Sequence, residues 1–206
     1  MKYIFVHGLG QTASGWDSTI ENLEVKSNCE CPDLVTMLAG KEINYTNLYK
    51  AFSAYCDNFA EPLHICGLSL GGILALNYGI ENPEKVCSLV LIGTQYKMPV
   101  GLLKFQNIIF RFMPKSMFTQ MGFGKKDFIE LSKSMMVLDF SKDLDKVSCP
   151  VLVMCGEKDN ANRKAAEELT QYLHSAEMQV VESAGHEINV DAPERLAKLL
   201  NAFYKR

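Results

Sequence analysis

Three polar residues that are far apart in the chain, Ser69, Asp159 and His186, each follow a short apolar run. Leu63 to Cys66 leads into Gly67-Leu68-Ser69-Leu70-Gly71, and a helical pattern runs on from Gly72 to Tyr78. A strand that turns sharply into a helix holds the intervening serine in a strained conformation with its hydroxyl exposed. Flanking glycines let the two backbones pass closely. Taken alone, the same pattern also fits a tight turn whose serine caps the helix.

Two further loops supply what a serine nucleophile needs. Pro150 to Cys155 reads as a strand that ends in Gly156-Glu157-Lys158-Asp159, with an acid at the loop tip. Met178 to Glu182 reads as another, ending in Ser183-Ala184-Gly185-His186. The order serine, acid, histidine is the one used when a nucleophile sits on such a turn. His186 would take the Ser69 proton, and Asp159 would fix the imidazole tautomer and stabilise its charged form. Singly, Asp159 also fits a helix cap and His186 a turn residue.

Acyl transfer builds negative charge on a carbonyl oxygen, which two backbone N–H groups can stabilise. Lys2 to Val6 reads as a buried strand running into His7-Gly8-Leu9-Gly10. One donor would belong to Leu70, after the nucleophile, and the other to Leu9 in this early loop. A nucleotide-phosphate loop is the rival reading, but neither Gly-x-Gly-x-x-Gly nor a Walker lysine is present. His7 precedes the donors and reads as a support for the loop.

On His7-Gly8-Leu9-Gly10, Gly67 to Gly72, Gly156 to Asp159 and Gly185-His186, the chain resembles the α/β-hydrolase superfamily over nearly its whole length. It is most similar to small bacterial-type carboxylesterases and acyl hydrolases. The resemblance implies Ser69, Asp159 and His186 as a triad, and Leu9 and Leu70 as the oxyanion-hole residues. It implies no metal or organic cofactor. It departs from the usual pattern at the start, where the chain begins at the His-Gly strand, so the sheet should be two strands shorter.

Six strands, near 2–6, 29–35, 63–67, 86–92, 150–155 and 178–182, must position these loops. Helices are expected near 16–24, 46–59, 70–81, 160–173 and 190–204. Strands alternating with helices argue an α/β fold with three layers and a mostly parallel, doubly wound sheet. The expectation is a single domain over residues 1–206, with an inserted helical cap at about 94–146. That segment is too long for a simple crossover and is rich in Met and Phe, which make an adaptable apolar wall. Met98, Phe110, Met113, Met117 and Met136, with Leu9 and Leu70, are the expected substrate contacts. Its lysines and Arg111 read either as a solvated face or as contacts to an acidic substrate.

At 206 residues the chain can bury one large core. A net charge of −3 gives no reason to expect nucleic acid as a partner. No apolar run reaches the length of a membrane span, and no signal peptide is evident. Seven cysteines suit a reducing cytoplasm, with Cys66, Cys87 and Cys155 as small buried apolar groups. Cys29 and Cys31 are too close to make a zinc pair.

The activity these features imply is hydrolysis of a small or medium apolar carboxylic ester through an acyl-enzyme. A thioesterase or an acyltransferase would use the same triad. A non-catalytic ligand receptor would keep the fold and lack the acyl-enzyme. The sequence leaves the substrate and the oligomeric state open.

Overall fold

A computed structural model of the chain describes residues 1–114, 116, 118 and 124–206. Six strands form one sheet: β1 (Tyr3–Val6), β2 (Cys29–Glu30), β3 (Leu63–Leu68), β4 (Val86–Ile92), β5 (Val151–Gly156) and β6 (Ala176–Val181). Their order is β2-β1-β3-β4-β5-β6, and every pairing is parallel. The chain therefore winds outward from β1 in one direction to β2 and in the other from β3 onward. Loops after β1 and β3 diverge at that switch point, where open α/β sheets take their ligands.

Period-two alternation explains the layers. Ile4, Val6, Ile65, Leu89, Leu91, Val151 and Val153 face one side of the sheet. There they meet α2 (Leu34–Met37), α3 (Tyr45–Cys56), α4 (Leu70–Glu81) and α7 (Asn160–Tyr172). Tyr3, Phe5, Cys66, Leu68, Val90, Ile92, Leu152 and Met154 face the other side, against Trp16, α8 (Ile188–Asp191) and α9 (Pro193–Tyr204). Residues from Leu70 to Ile80 are buried all round, so α4 has no polar stripe. It is an interior helix, pressed on the sheet directly behind Ser69.

Several boundaries differ from the sequence reading. The strand expected over 29–35 stops at Glu30. Asp33 instead caps α2 by accepting the Thr36 N–H at 2.8 Å, a local bond that competes with strand pairing. The helix expected at 16–24 is a 3₁₀ turn (Ala13–Trp16) followed by the short α1 (Asp17–Glu21). The last helix breaks at Ala192 because Pro193 lacks an N–H and restricts the residue before it. Cys66 and Cys155 are buried as expected, whereas Cys87 is partly exposed.

Between β4 and β5 lie α5 (Val100–Phe112) and α6 (Lys125–Met135). The two ends of this segment meet in an antiparallel bridge between Lys97 and Asp139. Met98 N donates to Leu138 O at 3.1 Å, and Phe140 N to Tyr96 O at 2.8 Å. Among the described residues, no helix is long and apolar enough to cross a membrane.

Candidate active site

Ser69 joins β3 to α4 with φ 54° and ψ −113°. Such a backbone costs a non-glycine residue about 1–3 kcal/mol and persists only when its surroundings hold it. Its N–H donates to Ile92 O at 2.8 Å, and its carbonyl accepts Ile73 N–H at 3.0 Å. A Cβ on Gly67 would collide with the Gly71 backbone, and one on Gly71 with Val6 O. The glycines thus permit a close approach of α4 to β1 and β3, which aims the turn at the carboxyl end of the sheet.

The loop after β1 abuts this turn. A Cβ on Gly8 would stand 3.5 Å from both Leu68 O and Ser69 Cβ. Among the described residues, neither Leu9 N–H nor Leu70 N–H has a protein acceptor. His7 beneath them is buried and spends both nitrogens on structure. Its Nδ1 lies 3.0 Å from Gly8 O, and its Nε2 accepts Leu34 N–H at 3.1 Å. Burial lowers its pKa below the ordinary 6.5, consistent with a neutral ring that is also an acceptor.

Asp159 and His186 arrive on the loops after β5 and β6, which are tied together by Lys158 N–H donating to Ala184 O at 2.9 Å. His186 Nδ1 stands 2.7 Å from Asp159 Oδ2. Burial pushes the Asp159 carboxyl upward, but hydrogen bonds from His186 and Asn162 outweigh it and hold the group below its ordinary value. Glu157 points away and accepts Ser183 N–H at 2.7 Å. Gly93, at φ 55°, passes so close that a Cβ there would lie 2.8 Å from His186 Cε1.

Two participants escaped the sequence reading. Asn162 Nδ2 donates to Asp159, and Gln95 Nε2 donates to Asn162 Oδ1 at 2.8 Å. The available signal was an asparagine three residues after the acid, on the first turn of the next helix.

Ser69, Asp159 and His186 line one cavity of about 440 Å³. Ser69 Oγ itself makes no hydrogen bond among the described residues. The apolar walls come from Ile73, Met98, Leu102, Leu103, Ile109 and Met135. Of the expected contacts among the described residues, only Met98 lies on this wall. Phe110 is turned inward by the phase of α5 and packs edge-on against Phe118 and Phe128. Met113 packs against the core, and Met136 gives its place to Met135, one residue back on the helix. The side chains of Leu9 and Leu70 also pack inward rather than on the wall. Met117 lies outside the described residues.

A second cavity, about 480 Å³, is lined by His64, Ser88, Val151 and Ala176, at the opposite, amino ends of the strands. It is remote from the loops that carry the triad candidates. Among the described residues, no group of three His, Cys, Asp or Glu side chains is placed to hold a metal ion.

Residues 3–199 match the model of the Alpha/beta hydrolase family. The chain belongs to that family. Monoacylglycerol lipase ABHD6 of Mus musculus is 20% identical over 249 aligned positions, covering 97% of this hydrolase and 74% of the relative. A pimeloyl-[acyl-carrier protein] methyl ester esterase of Nitrosomonas europaea is 26% identical over 91 residues, 44% of this chain and 36% of that one. Among solved structures, a carboxylesterase study from the archaeon Nitrososphaera gargenis superposes with a TM-score of 0.83 at 16% identity, covering 99% of this chain and 89% of that one. MenH from S. aureus gives 0.80 at 14%, covering 100% and 93%. These structural likenesses concern the fold.

Proposed function

We propose that this hydrolase cleaves small to medium apolar carboxylic esters through an acyl-enzyme formed on Ser69. The observation that carries the reading is a serine held at positive φ, in the same cavity as a 2.7 Å Asp159–His186 pair. His186 removes the hydroxyl proton as Ser69 attacks, and returns it to the departing alcohol. The N–H groups of Leu9 and Leu70 receive the developing oxyanion. Water, activated in turn by His186, releases the acid. Asp159 keeps the imidazole oriented and stabilises its transient charge. Residues 94–146 act as a cap whose inner face receives the acyl chain. The relatives named for lipase and ester hydrolysis support an ester as the substrate class.

The test is covalent labelling by a fluorophosphonate, with mass mapping of the modified peptide. Labelling of wild type at Ser69, absent in a folded Ser69→Ala variant, supports the assignment. Labelling that persists in the variant refutes it. Nitrophenyl esters, matching thioesters and an added alcohol acceptor then separate esterase from thioesterase and acyltransferase.

A further inference from the structure

Among the described residues, six of the eleven exposed large apolar side chains stand on α5: Val100, Leu102, Phe105, Ile108, Ile109 and Phe112. Phe112 is 85% exposed and Phe105 61%. Helical phase accounts for the split. Leu103, Asn107 and Phe110 recur at i, i+4 and i+7 and turn inward. Leu102, Phe105, Ile109 and Phe112 recur at i, i+3, i+7 and i+10 and form a stripe facing out. Leu102, Phe105 and Ile109 also line the cavity that holds Ser69. The apolar surface is therefore continuous from the cavity mouth to the outside of the molecule.

Cations flank this stripe. Lys104 and Arg111, seven residues apart on α5, are exposed on one row. Beside them a cleft of about 340 Å³ is lined by Arg111, Lys125, Lys126, Ile129, Glu130 and Lys133. Its single carboxylate, Glu130, is taken up by Lys133 at 2.7 Å. Lys125 Nζ is held on Met113 O at 2.8 Å, which fixes its charge at the cleft. Over residues 97–133 the sequence has seven Lys and Arg against Asp127 and Glu130, a net +5 in a chain of net −3, although Lys97 is paired with Asp139 at 2.8 Å.

We propose that α5 and this cationic cleft dock the protein on an anionic phospholipid surface, with the cavity mouth facing the bilayer. An amphipathic helix with an apolar stripe and basic flanks lies in the plane of the headgroups, its apolar side sunk to the acyl boundary. Anionic headgroups attract such basic surfaces within about one Debye length. A second copy of the chain is the poorer occupant. Two-fold packing of α5 on itself would set these cation rows against each other, and like charges across an interface disfavour pairing. The inference reads binding alone and so stands apart from the assignment of Ser69.

The experiment is co-sedimentation of the full chain with large unilamellar vesicles. One set is pure phosphatidylcholine, and the other contains phosphatidylserine at about one third of the lipid. Binding should be at least about tenfold tighter to the anionic vesicles and lost when salt rises from about 0.1 M to about 0.5 M. Ile108→Asp with Phe112→Asp, two exposed positions off the cavity wall, should abolish sedimentation with unchanged circular dichroism and Tm. Lys104→Glu with Lys126→Glu should remove the preference for anionic lipid. Equal binding to both vesicle types, or to neither, overturns the proposal. So does a lipid-free dimer by analytical ultracentrifugation that Phe112→Asp dissolves.

Discussion

Asn162 spans both carboxylate oxygens of Asp159, with Nδ2 at 2.8 Å from Oδ1 and 2.9 Å from Oδ2. Gln95, from the loop after β4, donates to the Asn162 carbonyl and so keeps the amino end turned to the acid. Gln95 on the loop after β4, Asn162 on the first turn of α7 and His186 on the loop after β6 thereby fix one carboxylate in position, before any substrate enters. This arrangement has a measurable signature. Asn162→Ala should lower kcat about 10- to 100-fold, as loss of orientation does. Asn162→Asp should do more, because a second carboxylate at this distance disfavours ionisation of Asp159. The acid limb of its kcat/KM profile should then move to higher pH. A steady-state pH profile that keeps its wild-type acid limb in Asn162→Asp would show that the amide only packs.

Asp159→Asn should cost about 10⁴ in kcat, the loss expected when the acid can no longer hold the imidazole tautomer. Glu157→Gln should leave kcat within about twofold, since Glu157 is engaged with Ser183 N–H on the far side of the loop. Rates on one nitrophenyl ester for both variants decide the matter. If Glu157→Gln is the more damaging change, the acid is misassigned.

Gly93→Ala should reduce activity strongly and stability by about 1–2 kcal/mol. Part of the loss comes from a side chain at positive φ. The rest comes from its Cβ, which would push on His186 and lie 3.2 Å from Asp159 Oδ2. Urea unfolding together with burst kinetics separates the two effects. The sequence shows no carboxylate at Gly93-Thr94-Gln95, and the backbone contact explains why a bare glycine suits this place.

Acyl-chain preference should follow the cavity wall. Each methylene buried against Ile73, Met98 and Met135 can add up to ~0.8 kcal/mol, so kcat/KM should rise from acetyl to a medium chain and then fall. Met98→Trp should move the optimum to shorter chains. A wild-type preference for acetyl, or for anionic acyl groups, would contradict the apolar wall as the basis of selection.

Acid should destabilise the fold partly through His7. Its folded pKa is below the ordinary 6.5 because burial disfavours the charged ring. The unfolded chain then binds the proton more readily, so the stabilisation is complete above 6.5 and declines as pH falls towards the folded value. Tm measured from pH 7.5 down to 5 should drop, and less steeply in a folded His7→Gln variant.

The carboxyl-end loops were legible because each combines an apolar strand with glycine and one polar residue, a local pattern. Sheet membership followed from the same runs. The cavity wall was not legible. Which of Phe105, Ile109 and Phe110 faces the cavity depends on the rotation of α5, whose apolar residues form both an inward row and an outward row, so periodicity alone does not say which row meets the core. Met135 and Met136 are neighbours at the end of α6, and only the rotation of that helix decides which of them reaches the cavity. Gln95 and Asn162 were missed because their bond joins residues 67 positions apart, on the loop after β4 and on the first turn of α7. The α2 helix was hidden behind the apolar run at 34–38, which reads equally well as strand.

The Lys97–Asp139 bridge brings the two ends of a long segment to neighbouring positions, beside the end of β4. Loop-closure entropy grows only with the logarithm of length. Whatever is spliced between these two points therefore changes the cost of folding the sheet very little. The junction is in effect an exchangeable socket. Segments of different size and chemistry can be fitted there while β1, β3, β5 and β6 and the loops they carry stay as they are. The apolar wall supplied by this segment can thus be changed without moving Ser69, Asp159 or His186.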